Sequence, residues 1–122
     1  MRAFANKEFA EAQSDFKQLM ARKDGPYVED AYFYNAESYI RRLLWNQAIS
    51  AFDQFIAKYP SDLLRVQMAL HEKTFAYFML EDCTKASEIL KEFNEKGIPA
   101  FASKPASVLV SQCWERVKSK AR

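Results

Sequence analysis

Three side chains in this 122-residue chain could do nucleophilic or metal chemistry together: His71, Cys83 and Cys113. A Cys–His pair can supply a thiolate nucleophile. Nothing near these residues reads as an oxyanion hole or an orienting Asn, so His71 is expected on a groove or surface and the chain is expected not to be an enzyme. With one histidine, no H-E-x-x-H or other two-histidine zinc site can be built. The two glycines, Gly25 and Gly97, cannot make a P-loop or a G-x-G-x-x-G turn. Cys83 and Cys113 stand 30 positions apart (113 minus 83), which is not a metal-binding or redox-motif spacing. Glu81 and Asp82 beside Cys83 raise a thiol pKa rather than activate it. Cys113 falls on the apolar side of the last helix and is expected to pack. An oxidising compartment would permit a Cys83–Cys113 disulfide, and the spacing leaves bonded and free thiols both open. The pairs Glu8/Glu11 and Glu92/Glu95 read as helix-surface charges. No cofactor and no metal are expected.

The elements that must position these residues follow from composition. Hydrophobic residues make up 49% and charged residues 28%, which describes a foldable domain rather than a disordered segment. The net charge of +2 is too small to select nucleic acid. No apolar run is long enough to span a membrane. Two glycines are too few for the turns of an all-β fold, and apolar residues recur at helical spacing. The breakers divide the chain into helices at about 6–23, Tyr27–Leu44, Asn46–Tyr59, Leu63–Leu80, Cys83–Lys96 and Pro105–Lys120. Asp24-Gly25-Pro26, Pro60-Ser61-Asp62 and Gly97-Ile98-Pro99 separate them. Pro105 is expected in a first helical turn, where its missing N–H goes unneeded, with 100–104 as a looser lead-in.

The strongest signal is self-similarity. Ala12, Ala48 and Ala86 are spaced by 36 (48 minus 12) and 38 (86 minus 48), each within a similar apolar pattern. The central stretch reads Tyr32-x2-Asn35-Ala36-x2-Tyr39…Ala48-x3-Phe52…Pro60. The next reads Leu70-x2-Lys73-Thr74-x2-Tyr77…Ala86-x3-Leu90…Pro99, and the first keeps only Ala12-x3-Phe16. These positions resemble the tetratricopeptide (TPR) repeat, with Asn35 and Lys73 in place of its leucine and Thr74 in place of its glycine. The resemblance implies an all-α, right-handed stack of antiparallel helix hairpins, a TPR-like α-solenoid. It would be one domain over 1–122: the second helix of a partial repeat (6–26), a repeat (27–61), a degenerate repeat (62–99) and a C-terminal capping helix (105–120). Ala31 to Tyr39, with Ala48 to Phe52 and Lys58-Tyr59-Pro60, is most similar to bacterial cell-envelope TPR proteins of the Tol–Pal and β-barrel-assembly kinds. That likeness favours a periplasmic or envelope location, with a cytoplasmic one open.

TPR proteins bind partners on the concave face, lined by the first helix of each hairpin, and the resemblance implies a non-catalytic adaptor or scaffold that does the same. Here Tyr32, Ala36, Tyr39 and Leu43 make the packing stripe of the second helix. A neighbouring stripe carries Phe33, Glu37, Ile40 and Arg41. A shift of 38 places His71, Phe75, Phe78 and Met79 on the equivalent stripe of the fourth helix. These eight residues are the expected contacts for a protein or peptide, with aromatic and Met side chains supplying affinity and Glu37 and Arg41 fixing register. The alternative is self-assembly through the same apolar face, and burial under the chain's own end segments competes with both. The basic end, Arg116 to Arg122, suits the negative pole of a helix.

Overall fold

The computed structural model describes residues 3–22 and 25–121, with side chains at residue 8 and from residue 10 onward within those ranges. Asp24, expected in the first breaker, lies outside them, as does the side chain of Phe9. The described residues form six α-helices: α1 (Ala3–Met20), α2 (Val28–Arg41), α3 (Trp45–Lys58), α4 (Leu63–Met79), α5 (Cys83–Glu95) and α6 (Ala100–Lys120). They fall into two units, Met1–Asp62 and Leu63–Arg122.

In the first unit α2 packs on α1 and on α3. Glu29 and Asp30 in the first turn of α2 and Arg41 in its last turn complement the helix dipole. Ala36 and Ala48 are fully buried, which lets the two helices of the hairpin approach closely. Around them Phe33 meets Phe52 and Phe55 edge to face, with ring centroids 6.0 and 5.3 Å apart. Such ring pairs add roughly 0.5–1.5 kcal/mol each beyond their buried area. The expected packing stripe needs one correction: Phe33 is core at 2% exposure, while Leu43 is 66% exposed. The helix ends at Arg41, so Leu43 has left the helical register and no longer shares a face with Tyr39.

In the second unit α4, α5 and α6 pack pairwise on one another. Val66, Leu70, Ala86, Ile89 and Phe93 form the hairpin core, joined by Ala106, Val110 and Cys113 from α6. The Asp82 side chain caps α5 by accepting from the Lys85 backbone N–H at 3.1 Å. Gly97, at φ 71°, ends α5 in the left-handed conformation glycine favours. Pro99 then stands as the N-cap of α6. The sixth helix therefore begins at Ala100, five residues before its expected start, and Pro105 lies inside it. The segment 100–104 is helical because the Pro99 carbonyl accepts from the N–H groups of Ala102 and Ser103, starting the helix before Pro105 is reached.

The two hairpins close in the same way. Leu44 N–H donates to Tyr39 O at 2.9 Å and Leu43 N–H to Ile40 O at 3.0 Å. In the other hairpin Asp82 N–H donates to Tyr77 O at 2.9 Å and Glu81 N–H to Phe78 O at 3.0 Å. This pair of bonds is the Schellman motif. Ile98 and Gly97 make the same pair at the end of α5. Ala48 and Ala86 are both fully buried, whereas Ala12 is only half-buried on α1.

The polar residues that interrupt the repeat pattern have partners. Asn35 is buried and accepts two hydrogen bonds from Gln13 of α1, at its main-chain oxygen (3.1 Å) and its side-chain oxygen (3.0 Å). Gln13 in turn accepts from Arg42. Lys73 is buried with its ammonium 3.5 Å from Glu92 of α5, and the Thr74 hydroxyl donates to Leu70 O at 2.8 Å. A buried polar group keeps its place only when it is satisfied in this way.

Candidate functional site

In α4 the buried residues Val66, Ala69, Leu70, Lys73, Thr74 and Ala76 lie on one side of the helix. At about 100° per residue, Leu64, Met68, His71, Phe75 and Met79 gather on the other. Leu64, Met68 and Met79 are exposed, while His71 and Phe75 are half-buried. The result is a nearly continuous apolar stripe left uncovered by α5 and α6. Of the eight residues expected from the sequence, His71, Phe75 and Met79 belong to it. Met68 and Leu64, one and two turns before His71, extend it beyond the residues expected from the sequence. Their spacing of three and seven before His71 carries the same helical period.

Phe78 flanks the stripe and is half-buried. Its ring stacks on Phe75 with centroids 6.4 Å apart, and the Arg116 guanidinium of α6 sits 4.2 Å above its centroid. The His71 imidazole Nδ1 lies 3.8 Å from the Glu72 carboxylate beside it. Glu81 closes this end of the unit. Its carboxylate accepts from the Lys120 ammonium and lies 3.8 Å from Arg116. The Lys120 hydrogen bond, aided by both cations and outweighing desolvation, holds the Glu81 carboxyl below the usual carboxylate range.

In the first unit Glu37 and Arg41 line an open cleft of about 330 Å³ between α1 and α2, together with Ala12, Phe16, Tyr34 and Ser38. Ile40 is half-buried on the same helix. Phe33, expected at a binding face, is locked among aromatic core rings and leaves a partner nothing to touch. At the far end of α3, Lys58 sits over the Tyr32 and Tyr59 rings, 5.4 and 6.0 Å from their centroids. Desolvation, with Tyr32 and Glu29 nearby, raises the Tyr59 pKa.

Cys83 and Cys113 are bonded to one another, with S–S 2.03 Å and Cα–Cα 5.6 Å. This settles the pairing that spacing left open, and the described residues hold no free cysteine. Neither sulfur is a thiolate nucleophile in this state. Among the described residues no group of three His, Cys, Asp or Glu is placed to hold a metal ion. No helix among them is long and apolar enough to cross a membrane.

No family model matches the chain, no curated protein matches it, and no solved structure matches it.

Proposed function

We propose that this chain is a non-catalytic scaffold of TPR-like helical hairpins that binds an apolar segment of a protein or peptide on the outer face of α4. The observation that carries this reading is the stripe Leu64, Met68, Phe75 and Met79, set opposite the buried side of its own helix. A helix apolar on two sides is either doubly buried or an interaction surface. Met side chains adapt to varied partners, and an aromatic such as Phe75 supplies a large share of binding energy. His71 supplies a polar register point within the stripe. The Glu37/Arg41 cleft on α2 is the corresponding polar-edged surface of the first unit. The disulfide supports residence in an oxidising compartment, in keeping with the likeness to envelope TPR proteins.

The test is selection of amphipathic peptides from a displayed library against the full chain, with Met68→Asp/Phe75→Asp as control. The expected result is at least about a tenfold loss of peptide affinity at unchanged helicity and melting temperature, since two truncated anchors cost over 1.4 kcal/mol. Peptides that bind the variant equally well overturn the surface assignment. Sedimentation equilibrium across a concentration range distinguishes the second reading: dimerisation lost in the same variant would make the occupant another copy of this chain.

A further inference from the structure

Helix α6 half-buries Ala102, Ser103, Leu109, Arg116 and Val117 against its unit. Of its 21 residues, those buried are Ala106, Val110 and Cys113. Their spacing of four and three puts them in one line along the helix. Two of them are small, and the third is the sulfur bonded to Cys83 of α5. Toward the N-terminus of α6, Phe101 is 81% exposed. Toward its C-terminus Val117 is half-buried, the Arg116 guanidinium sits 4.2 Å above the Phe78 ring, the Trp114 indole donates to Ser87 Oγ at 3.1 Å, and Arg116 and Lys120 meet Glu81. Exposed ion pairs hold a helix only weakly. The α4/α5 hairpin has a deeper core, its own Schellman turn and the Asp82 cap.

We propose that the Cys83–Cys113 bond is a redox latch that decides whether α6 stays docked. With the bond intact, α6 lies on the hairpin. With the bond reduced, α6 undocks while α4 and α5 stay paired. The reductant is a dithiol. One of its thiolates attacks a cysteine Sγ, breaking the Sγ–Sγ bond and forming a mixed disulfide. Its second sulfur then displaces the protein sulfur. The protein gains two electrons and two protons as two thiols, and the dithiol leaves as a disulfide. Both cysteines are buried, at 4% and 0% exposure, so attack waits on transient lifting of α6.

The experiment uses the full chain carrying Trp45→Phe, which leaves Trp114 as its one tryptophan. On reduction with dithiothreitol, the amides of 106–118 are expected to exchange at least about tenfold faster, as in local opening of one element. Trp114 emission shifts to the red, and amides of α4 and α5 change by less than about twofold. Reoxidation restores both signals, and Cys83→Ala/Cys113→Ala reproduces the reduced state. Should that variant fail to fold, the reduced parent chain carries the test. The latch is overturned if α6 keeps its protection after reduction, or if α4 and α5 lose protection together with α6. It is equally overturned if protein refolded in a glutathione redox buffer retains two titratable thiols.

Discussion

Leu43 and Glu81 hold equivalent backbone positions, 38 residues apart (81 minus 43), each closing the first helix of a hairpin in the left-handed conformation at φ 61° and 58°. Glycine is the residue that ordinarily fills this position. Replacing a side chain there relieves roughly 1 kcal/mol of backbone strain. Leu43 is exposed and packs little, so Leu43→Gly is expected to stabilise the first unit by about 1 kcal/mol. Glu81→Gly gains the same relief but removes the acceptor for Lys120 and Arg116, so its net gain is smaller. Urea titrations followed by Trp45 for the first unit and Trp114 for the second read the two effects separately. Equal gains at both sites would show that the Glu81 contacts contribute nothing.

Phe33 is a core residue, and its truncation reads as one. Phe33→Ala is expected to cost about 3–5 kcal/mol, the range for removing a buried aromatic. Arg41→Ala, one helix face away and exposed, is expected to change stability by less than about 0.5 kcal/mol. Denaturation midpoints reported by Trp45 check both. A mild effect at Phe33 would mean the ring cluster on α3 repacks without it.

Much of this architecture was legible in the sequence, and the parts that were not have physical reasons. Five of the six helices were placed to within about three residues at each end, typical of boundary uncertainty, because glycines, prolines and the apolar period mark them. The buried pair Ala48 and Ala86 could be read from spacing alone. Phe33 could not be assigned to the core, since a stripe adjoining the packing face looks the same in sequence whether a neighbour covers it or not. Ala12 lacks the surroundings of the other two alanines because, among the described residues, α1 packs on α2 alone. The disulfide stays one of two open readings in the sequence because it joins the first residue of α5 to the middle of α6, a proximity that only the packing of two helices creates. On the candidate surface, Phe75 and Met79 were read from periodicity, while Leu64 and Met68 needed the observation that α5 and α6 leave that face open.

Gln13 and Asn35 test the buried polar network of the first unit. Gln13→Leu leaves the Asn35 side-chain oxygen without its donor, and an unsatisfied buried acceptor costs about 1–3 kcal/mol. Asn35→Leu alone removes one of the two acceptors of the Gln13 amide and leaves it the main-chain oxygen of residue 35. The double variant removes both polar groups. It is expected to be more stable than either single variant, by a coupling of about 1 kcal/mol or more. A double-mutant cycle in urea measures that coupling, and strict additivity would mean water replaces the lost partner.

Glu81 makes the docking of the α6 end pH-dependent. Its carboxyl is held below its ordinary value of 4.5, first by the Lys120 hydrogen bond. A lowered folded-state pKa means the unfolded chain binds protons more readily in acid. The contribution is therefore complete above the unfolded-state value, declines as pH falls below it, and is gone once pH has passed through the folded-state value. Amide exchange at 116–120, corrected for intrinsic rates, is expected to accelerate on acidification below about pH 4.5, the ordinary carboxylate value. In Glu81→Gln the acceleration should be absent. A Gln variant with an unchanged pH profile would assign the dependence to another carboxylate.

Pro105 lies in the second turn of α6, where the amide it lacks would have donated to the Phe101 carbonyl, four residues earlier. An interior proline costs a helix about 3 kcal/mol, through the missing bond and the clash of its ring with that carbonyl. Here the cost is softened, because Phe101 is exposed and water can reach the freed carbonyl. Pro105→Ala is thus expected to stabilise the second unit by about 1–2 kcal/mol. The gain should appear as slower amide exchange over 100–108 and a higher urea midpoint at Trp114. The gain in the urea midpoint should be lost in dithiothreitol, since an undocked α6 no longer contributes to the folded unit. A variant that gains nothing would show that the first turn of α6 is frayed in solution, so that the proline interrupts no helix that is actually formed.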